Sequence, residues 1–313
     1  MGILRSALLK GSQSRWLATQ VTRRRFARRA VSRFMPGEDL ESALAAARTL
    51  ADAGITTVLT YLGENVTELT EAQQVTAHYL AALEQIERRS LPSHLSVKLT
   101  QLGLDISRDA CEAELTALVE RAAELGNFIC IDMESSEYTD ATLEIFRHVR
   151  SRHANAGVCL QAYLFRTAGD LEALLPLSPV VRLVKGAYRE PPNIAFPHKR
   201  DVDANFLTLA TRLLSDAALR SGPAPGIATH DPRLHAKIRE HAAAAGLSKG
   251  TFEFQMLYGI RREDQQRLAA EGYQVRVLIS YGSAWFPWYM RRLAERPANL
   301  LFALRSLVLP RLM

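Results

Sequence analysis

From Pro36 onward two rhythms alternate along the chain. Stretches with apolar residues every three to four positions have the helical period. Between them lie short runs that are almost continuously apolar, as expected of strands buried on both faces. The pattern predicts a helix over 37–54 closed by Gly54, a strand over 56–63 and a helix over 69–89. A strand over 94–103, a helix opened by Ser107 and a strand over 127–133 follow. Helix 138–153, strand 157–165, a short helix after Thr167 and strand 180–188 come next. Helix 203–220, strand 226–230, helix 232–245, strand 251–259 and helix 261–271 lead to a last strand. In it Val275, Val277 and Ile279 alternate with Arg276, Leu278 and Ser280, before a turn at Tyr281-Gly282-Ser283 and a further helix. Eight strand–helix units predict an α/β protein, a (β/α)8 TIM-like barrel. A doubly wound open sheet is the runner-up, but YLGENVT after the first strand lacks the glycine-rich phosphate turn of that fold. Two regions are expected: a basic helical segment over 1–35 and the barrel over 36–313.

A parallel barrel carries its chemistry where the strands end. Polar residues set in apolar strand context are Lys98, Asp132, Gln161, Arg182, Lys185, His230, Glu253 and Gln255, and all are expected to line one mouth. Each alone reads equally as a satisfied core hydrogen bond or a turn residue. A ring of them is harder to dismiss, because every buried polar group costs desolvation unless paired or bound to a ligand. After the last strand come Arg291 and Arg292, adjacent on a helix and about 100° apart. Two guanidiniums so placed grip one carboxylate or phosphate from two sides. Trp288, three residues earlier, supplies an aromatic wall.

Charge adds one feature. The net charge is +6, yet residues 1–37 hold no Asp or Glu while carrying Arg5, Lys10, Arg15, Arg23, Arg24, Arg25, Arg28, Arg29 and Arg33, so the remainder is slightly acidic. An arginine-rich opening suits a mitochondrial transit peptide. Leu4, Leu8, Trp16, Leu17, Val21, Phe26, Val31 and Phe34 instead continue at helical intervals, which favours extra docked N-terminal helices touching acidic lipid headgroups on the inner face of a membrane. With few interleaved aromatics beyond Trp16 and Phe26, nucleic acid is not an expected partner. Cys111, Cys130 and Cys159 show no metal-ligand spacing, and two lie in apolar runs, pointing to reduced thiols and a cytoplasmic setting. No metal site is predicted.

The mouth therefore suits a small anionic substrate or a phosphate-bearing cofactor, and two chemistries remain open. One is Schiff-base lyase or aldolase chemistry through Lys98 or Lys185. The other is redox chemistry on a bound dinucleotide.

Five motifs then act together: VKLTQLG, LVKGAY, ATHD, EFQMLYG and MRRLAERPANL, with YLGENVTE before them. Their order resembles the flavin-dependent proline dehydrogenase family, in particular its short monofunctional bacterial members, over residues 36–302. The resemblance implies a distorted barrel with FAD at the strand C-termini. It implies oxidation of L-proline to Δ1-pyrroline-5-carboxylate, with hydride passing to flavin N5 and electrons going on to a quinone acceptor. By resemblance Asp132 and Arg182 are catalytic. Lys98, Arg291 and Arg292 clamp the substrate carboxylate, and Tyr188, Leu257, Leu278 and Trp288 wall the ring. Met133, Gln161, Lys185, Gly186, Ala187, Lys199, Thr229 and His230 contact FAD. Leu278 and Trp288 stand where the family has tyrosines, and Ser280 where it has proline, so affinity and choice of ring substrate are expected to shift while the carboxylate clamp is kept.

Overall fold

A computed structural model describes residues 31–221, 224–286 and 289–290. Trp288, Arg291, Arg292 and the expected helices of residues 1–30 lie outside the described residues. The strands are β1 (Thr56–Tyr61), β2 (Ser93–Val97), β3 (Ile129–Ile131), β4 (Ala156–Gln161), β5 (Val180–Val184), β6 (Gly226–Ala228), β7 (Glu253–Leu257) and β8 (Gln274–Tyr281). They pair in sequence order and close into a barrel, with β8 parallel to β1 through Thr56↔Arg276 to Tyr61↔Tyr281. The (β/α)8 expectation holds.

The helices are α1 (Leu40–Ala51), α2 (Leu69–Arg88), α3 (Arg108–Glu124), α4 (Thr139–Arg150), α5 (Thr167–Leu174), α6 (Lys199–Leu213), α7 (Asp216–Ser221), α8 (Pro232–Ala244) and α9 (Arg262–Ala270). Their starts are written in the sequence. Asp39 accepts from Ser42 N at 2.7 Å, Ser107 from Ala110 N at 3.3 Å, and Asp231, just before Pro232, from Arg233 N at 3.1 Å. Two predicted elements come out differently. Strand 94–103 stops at Val97 and passes into a 3₁₀ turn over Leu99–Leu102, and helix 203–220 is two helices broken at Leu214-Ser215.

The dry layer lies between strands and helices. Val275, Val277 and Ile279 are essentially fully buried there with Ile131, Val158, Leu183, Phe254 and Met256. Truncating one of these to alanine typically costs about 2–5 kcal/mol. The barrel's inside is the polar layer. Ser96, Asp132, Arg182, Glu253, Gln255 and Arg276 join one another there by hydrogen bonds, whereas barrel interiors are commonly filled by branched aliphatics.

The barrel departs from the simple plan at one seam. Helix α1, which precedes the barrel, packs on both β1 and β8. The residues after β8 go elsewhere: Trp285, Phe286 and Tyr289 cluster with Leu62 and Ile260, which follow β1 and β7, and with Val31, Phe34 and Met35. The segment around residues 31–38 is thus fixed over the C-terminal mouth. Trp285 Nε1 donates to Glu38 at 3.0 Å, and a Cβ on Gly259 would lie 1.6 Å from Arg33 O. Among the described residues no helix is long and apolar enough to cross a membrane.

Candidate active site

Lys98 follows β2 directly and Asp132 follows β3, where its N–H extends the ladder by donating to Val97 O at 2.8 Å. The two side chains therefore meet at neighbouring strand ends, with Lys98 Nζ 3.9 Å from Asp132 Oδ2. Arg182, in the middle of β5, reaches across the barrel. Its Nη1 donates to Asp132 Oδ1 at 2.6 Å and to Ser96 Oγ at 2.9 Å, and Ser96 Oγ itself donates to Asp132 Oδ1 at 2.7 Å. Its Nε donates to Gln255 Oε1 at 2.7 Å. Only 6% of the Arg182 side chain is exposed. Burial opposes the charge, but the surrounding anionic groups, Asp132 and Glu253 among them, outweigh it and hold the guanidinium pKa above its usual value. The result is a permanent, immobile cation with a carboxylate and an ammonium beside it.

The turn that carries Lys98 is anchored by a residue the sequence reading missed. Glu134 is 4% exposed and accepts from Thr100 N at 3.1 Å and Thr100 Oγ1 at 2.7 Å. Burial raises its pKa, against the lowering effect of Thr100 and Lys98. Gln161 Nε2 donates to the Glu134 carbonyl at 2.7 Å, so the expected cofactor contact Gln161 is also a brace for this loop. Ser96 lies two residues before Lys98, and strand parity, which puts residues two apart on one face, could have found it; Glu134 lies three residues past the end of β3, where parity no longer applies.

The residues expected to meet a cofactor lie along the ends of β3 to β6. Met133 and Thr229 are buried. Gly186 adopts φ +108°, and a Cβ there would sit 2.2 Å from the Tyr163 ring, so only glycine lets the Lys185-Gly186-Ala187-Tyr188 backbone turn at this point. Lys185 Nζ lies 2.5 Å from Asp203 Oδ1 and 3.4 Å from Asp231 Oδ2, and Lys199 pairs with the same two carboxylates. Asp203 is again unforeseen, although it lies one helical turn after Lys199. His230 Nε2 accepts from Leu257 N at 2.9 Å, which puts the proton of a neutral ring on Nδ1. Leu257 and Leu278 are register partners on β7 and β8, so two of the expected ring-wall residues are neighbours.

Glu253 does not belong to this mouth as expected. It opens β7 rather than ending it, and binds Arg276 Nε at 2.9 and 3.0 Å toward the opposite, N-terminal end. There a cavity of about 250 Å³ is lined by His94, Glu253, Gln255, Arg276 and the underside of Arg182. Burial, aided by Arg276, pushes the His94 pKa down to about 4, so its ring is neutral. All three cysteines are buried and free, a state the sequence led one to expect for the two in apolar runs. Among the described residues no cluster of His, Cys, Asp or Glu could hold a metal ion.

Comparison with known proteins gives one answer. The family model for proline dehydrogenase matches residues 43–305. Proline dehydrogenase 1 of Bacillus subtilis (strain 168) is 38% identical over 306 residues, spanning 98% of this chain and 99% of that protein. Proline dehydrogenase of Deinococcus radiodurans is 38% identical over 281 residues, 88% of this chain and 89% of that one. Among solved structures, proline utilization A from Bdellovibrio bacteriovorus, inactivated by N-propargylglycine, superposes with a TM-score of 0.79 at 25% identity. That match takes in 86% of this chain but only 33% of the longer one.

Proposed function

This chain belongs to the proline dehydrogenase family, and we propose that it oxidises L-proline to Δ1-pyrroline-5-carboxylate with FAD as its cofactor. The observation that carries this reading is the convergence of Lys98, Asp132 and Arg182 at the C-terminal mouth of the barrel. The residues present fit the cofactor. A guanidinium on β5, the ammonium of Lys185 just after it, the ammonium of Lys199 opening α6 and the Thr229-His230 turn after β6 lie along one side of the mouth, and Gly186 leaves backbone where a side chain would stand. Arg182, Lys185, Lys199, Thr229 and His230 would hold FAD, together with Met133, Gln161, Gly186 and Ala187. When bound, FAD would supply the hydride acceptor for the ring CH2 next to the proline nitrogen, which gives up a proton as the C=N bond forms.

This chain's own residues do the rest. The Lys98 ammonium, with Arg291 and Arg292, binds the substrate carboxylate. Asp132 offsets the charges of Lys98 and Arg182 and keeps both in place. Arg182 supplies a preorganised positive charge where negative charge develops, and it needs no reorganisation during the reaction. Leu257 and Leu278, with Tyr188 and Trp288, wall the ring and exclude water. A quinone takes the electrons, and the basic stretch over residues 1–37 holds the cytoplasmic enzyme peripherally at the inner face of the membrane.

The Schiff-base lyase alternative falls. The relatives that match the chain from end to end are dehydrogenases, and the Lys185 amine is engaged by two carboxylates rather than free to attack a carbonyl. An anaerobic visible spectrum before and after adding L-proline tests the reading: a flavin band that bleaches is expected. A protein that shows no flavin even after incubation with FAD would sink it.

A further inference from the structure

A continuous line of hydrogen bonds runs through the inside of the barrel from one mouth to the other. At the N-terminal end Arg276 Nη1 donates to Thr57 O at 3.0 Å, and its Nε donates to Glu253. Gln255 Nε2 then donates to Glu253 Oε1 at 2.5 Å, while Gln255 Oε1 accepts from Arg182 Nε at 2.7 Å. Arg182 Nη1 completes the line at Asp132. Within it Gln255 must present an acceptor to one neighbour and a donor to the other, and an amide does both at once. The space is cut to this side chain: on β6, a Cβ at Gly226 would lie 2.3 Å from Gln255 Nε2.

The geometry decides the plane of the Arg182 guanidinium. Its Nε carries a single hydrogen, so the acceptor of that hydrogen, together with the acceptors at Nη1, fixes rotation of the whole fork. One edge is held by Asp132 and Ser96 beside the substrate site. The other is held by Gln255, which touches none of the groups assigned to substrate.

We propose that Gln255, itself fixed by the Glu253–Arg276 pair, is a positioning residue that sets the orientation of Arg182 for catalysis. The inference rests on the reading that Arg182 serves proline oxidation beside a bound flavin. It gives a function to charges near the far end of the barrel, where a merely structural ion pair would be the simpler account.

The test uses the full-length, FAD-loaded enzyme and reads three quantities: kcat and KM for L-proline, the flavin reduction potential, and the thermal midpoint. Gln255→Glu keeps an acceptor for Arg182 but sets a second carboxylate against Glu253 and loses the donor. Expected are a kcat lower by about ten- to a hundredfold, the scale for a reacting group displaced from a distance, a more negative potential, and little change in KM. The double variant Glu253→Gln with Gln255→Glu re-creates the line with only its middle bond reversed: the new amide at 253 donates to the new carboxylate at 255 and accepts from Arg276, while the carboxylate at 255 still accepts from Arg182. It is expected to return kcat to within about threefold of the parent, the coupling that neighbouring residues show in such cycles. Should Gln255→Glu fail to fold, Gln255→Met, similar in length but unable to make either bond, is read by the same criteria.

A variant that lowers the thermal midpoint while leaving kcat and potential unchanged overturns the proposal, as does a double variant no better than Gln255→Glu alone. Arg182→Met serves as the reference. If it is crippled while Gln255→Glu is unaffected, the positioning role alone is wrong. If Arg182→Met is itself fully active, the assignment of Arg182 falls and this inference with it.

Discussion

The Arg182–Asp132–Ser96 cluster and the Lys185–Lys199–Asp203–Asp231 cluster occupy neighbouring strand ends and contain the same kinds of charge. They differ in their surroundings. The side chains of Arg182 and Asp132 are 6% and 18% exposed, whereas Lys199 is 72% exposed and its partners are each about a fifth to a quarter exposed. Inside the barrel the ions have exchanged water for fixed protein partners, and removing one strands the other. At the rim water shares the load, so each contact is worth little and is readily replaced. Burial pushes Asp203 up, but hydrogen bonds from Lys185 and Lys199 more than reverse it, leaving its pKa below the ordinary carboxylate value. A ligand bearing phosphate can therefore take over the rim lysines from their carboxylates at small cost. Nothing can displace Asp132 from Arg182 so cheaply. The core cluster is built for fixed electrostatics, and the rim cluster for exchange.

The sharpest way to break this contrast is Arg182→Met. It is expected to lower kcat by about 10²–10³-fold, the scale for losing a preorganised charge in an active site, while the protein stays folded because Lys98 still faces Asp132. Steady-state kinetics with L-proline check the first half and circular dichroism the second. Next in size is Asp132→Ala, which leaves Arg182 without its carboxylate. Urea unfolding should show a loss of about 3–5 kcal/mol, as for breaking a buried ion pair by removing one partner.

A third effect lies at the lower edge of the core cluster, where His94 faces Arg276, Glu253, Arg182 and Asn127. Unfolded, His94 takes up a proton below about pH 6.5, its ordinary value. Folded, it resists until pH is about 4. Stability tied to this residue is therefore intact above the first value and lost as pH falls toward the second. The expected size between pH 7 and pH 5 is about 2 kcal/mol. His94→Gln should flatten that part of the acid limb, measured by urea midpoints at the two pH values.

The smallest effect is expected at the rim. Asp203→Asn should cost less stability than Asp132→Ala, about 1 kcal/mol, because its partner Lys199 is largely exposed and Lys185 keeps Asp231. It should, however, alter FAD retention in a salt-dependent way, read by flavin released on dialysis at low and high ionic strength. If this variant costs as much stability as Asp132→Ala, the contrast between core and rim is wrong.

The fold was legible because parallel strands buried on both faces leave long apolar runs, and helices between them keep the 3.6-residue period. The Lys98–Asp132–Arg182 group was legible for a related reason: a charge inside such a run needs an explanation. Its supports were harder to see. Glu134 lies beyond the end of its strand, Thr100 is a small hydroxyl in a turn with no signature, and Asp203 sits on a helix where any acid looks solvated. Glu253 was placed at the wrong mouth because FEFQMLYG does not reveal where its strand begins. Arg276 was visible as the polar member of an alternating strand. Reading it as an inward residue required knowing that this barrel keeps its aliphatic side chains outside and its polar ones within. No local pattern states that, since it depends on which face the helices cover.

The seam between β1 and β8 has a consequence for how the chain is made. Thr56 Oγ1 donates to Val275 O, atoms 219 residues apart, and all of β1 is paired along the last strand. At a ribosomal rate of about 5–20 residues per second, β1 waits on the order of 10–40 s for that partner to be synthesised. Until then its edge offers unpaired backbone groups to any neighbouring nascent chain. Helix α1, already synthesised and packed on β1 in the finished molecule, is well placed to cover the waiting strand, though not its open edge. Closure of the ring is therefore the late, non-local event, and a chain cut short before residue 274 would leave two open edges rather than a smaller barrel.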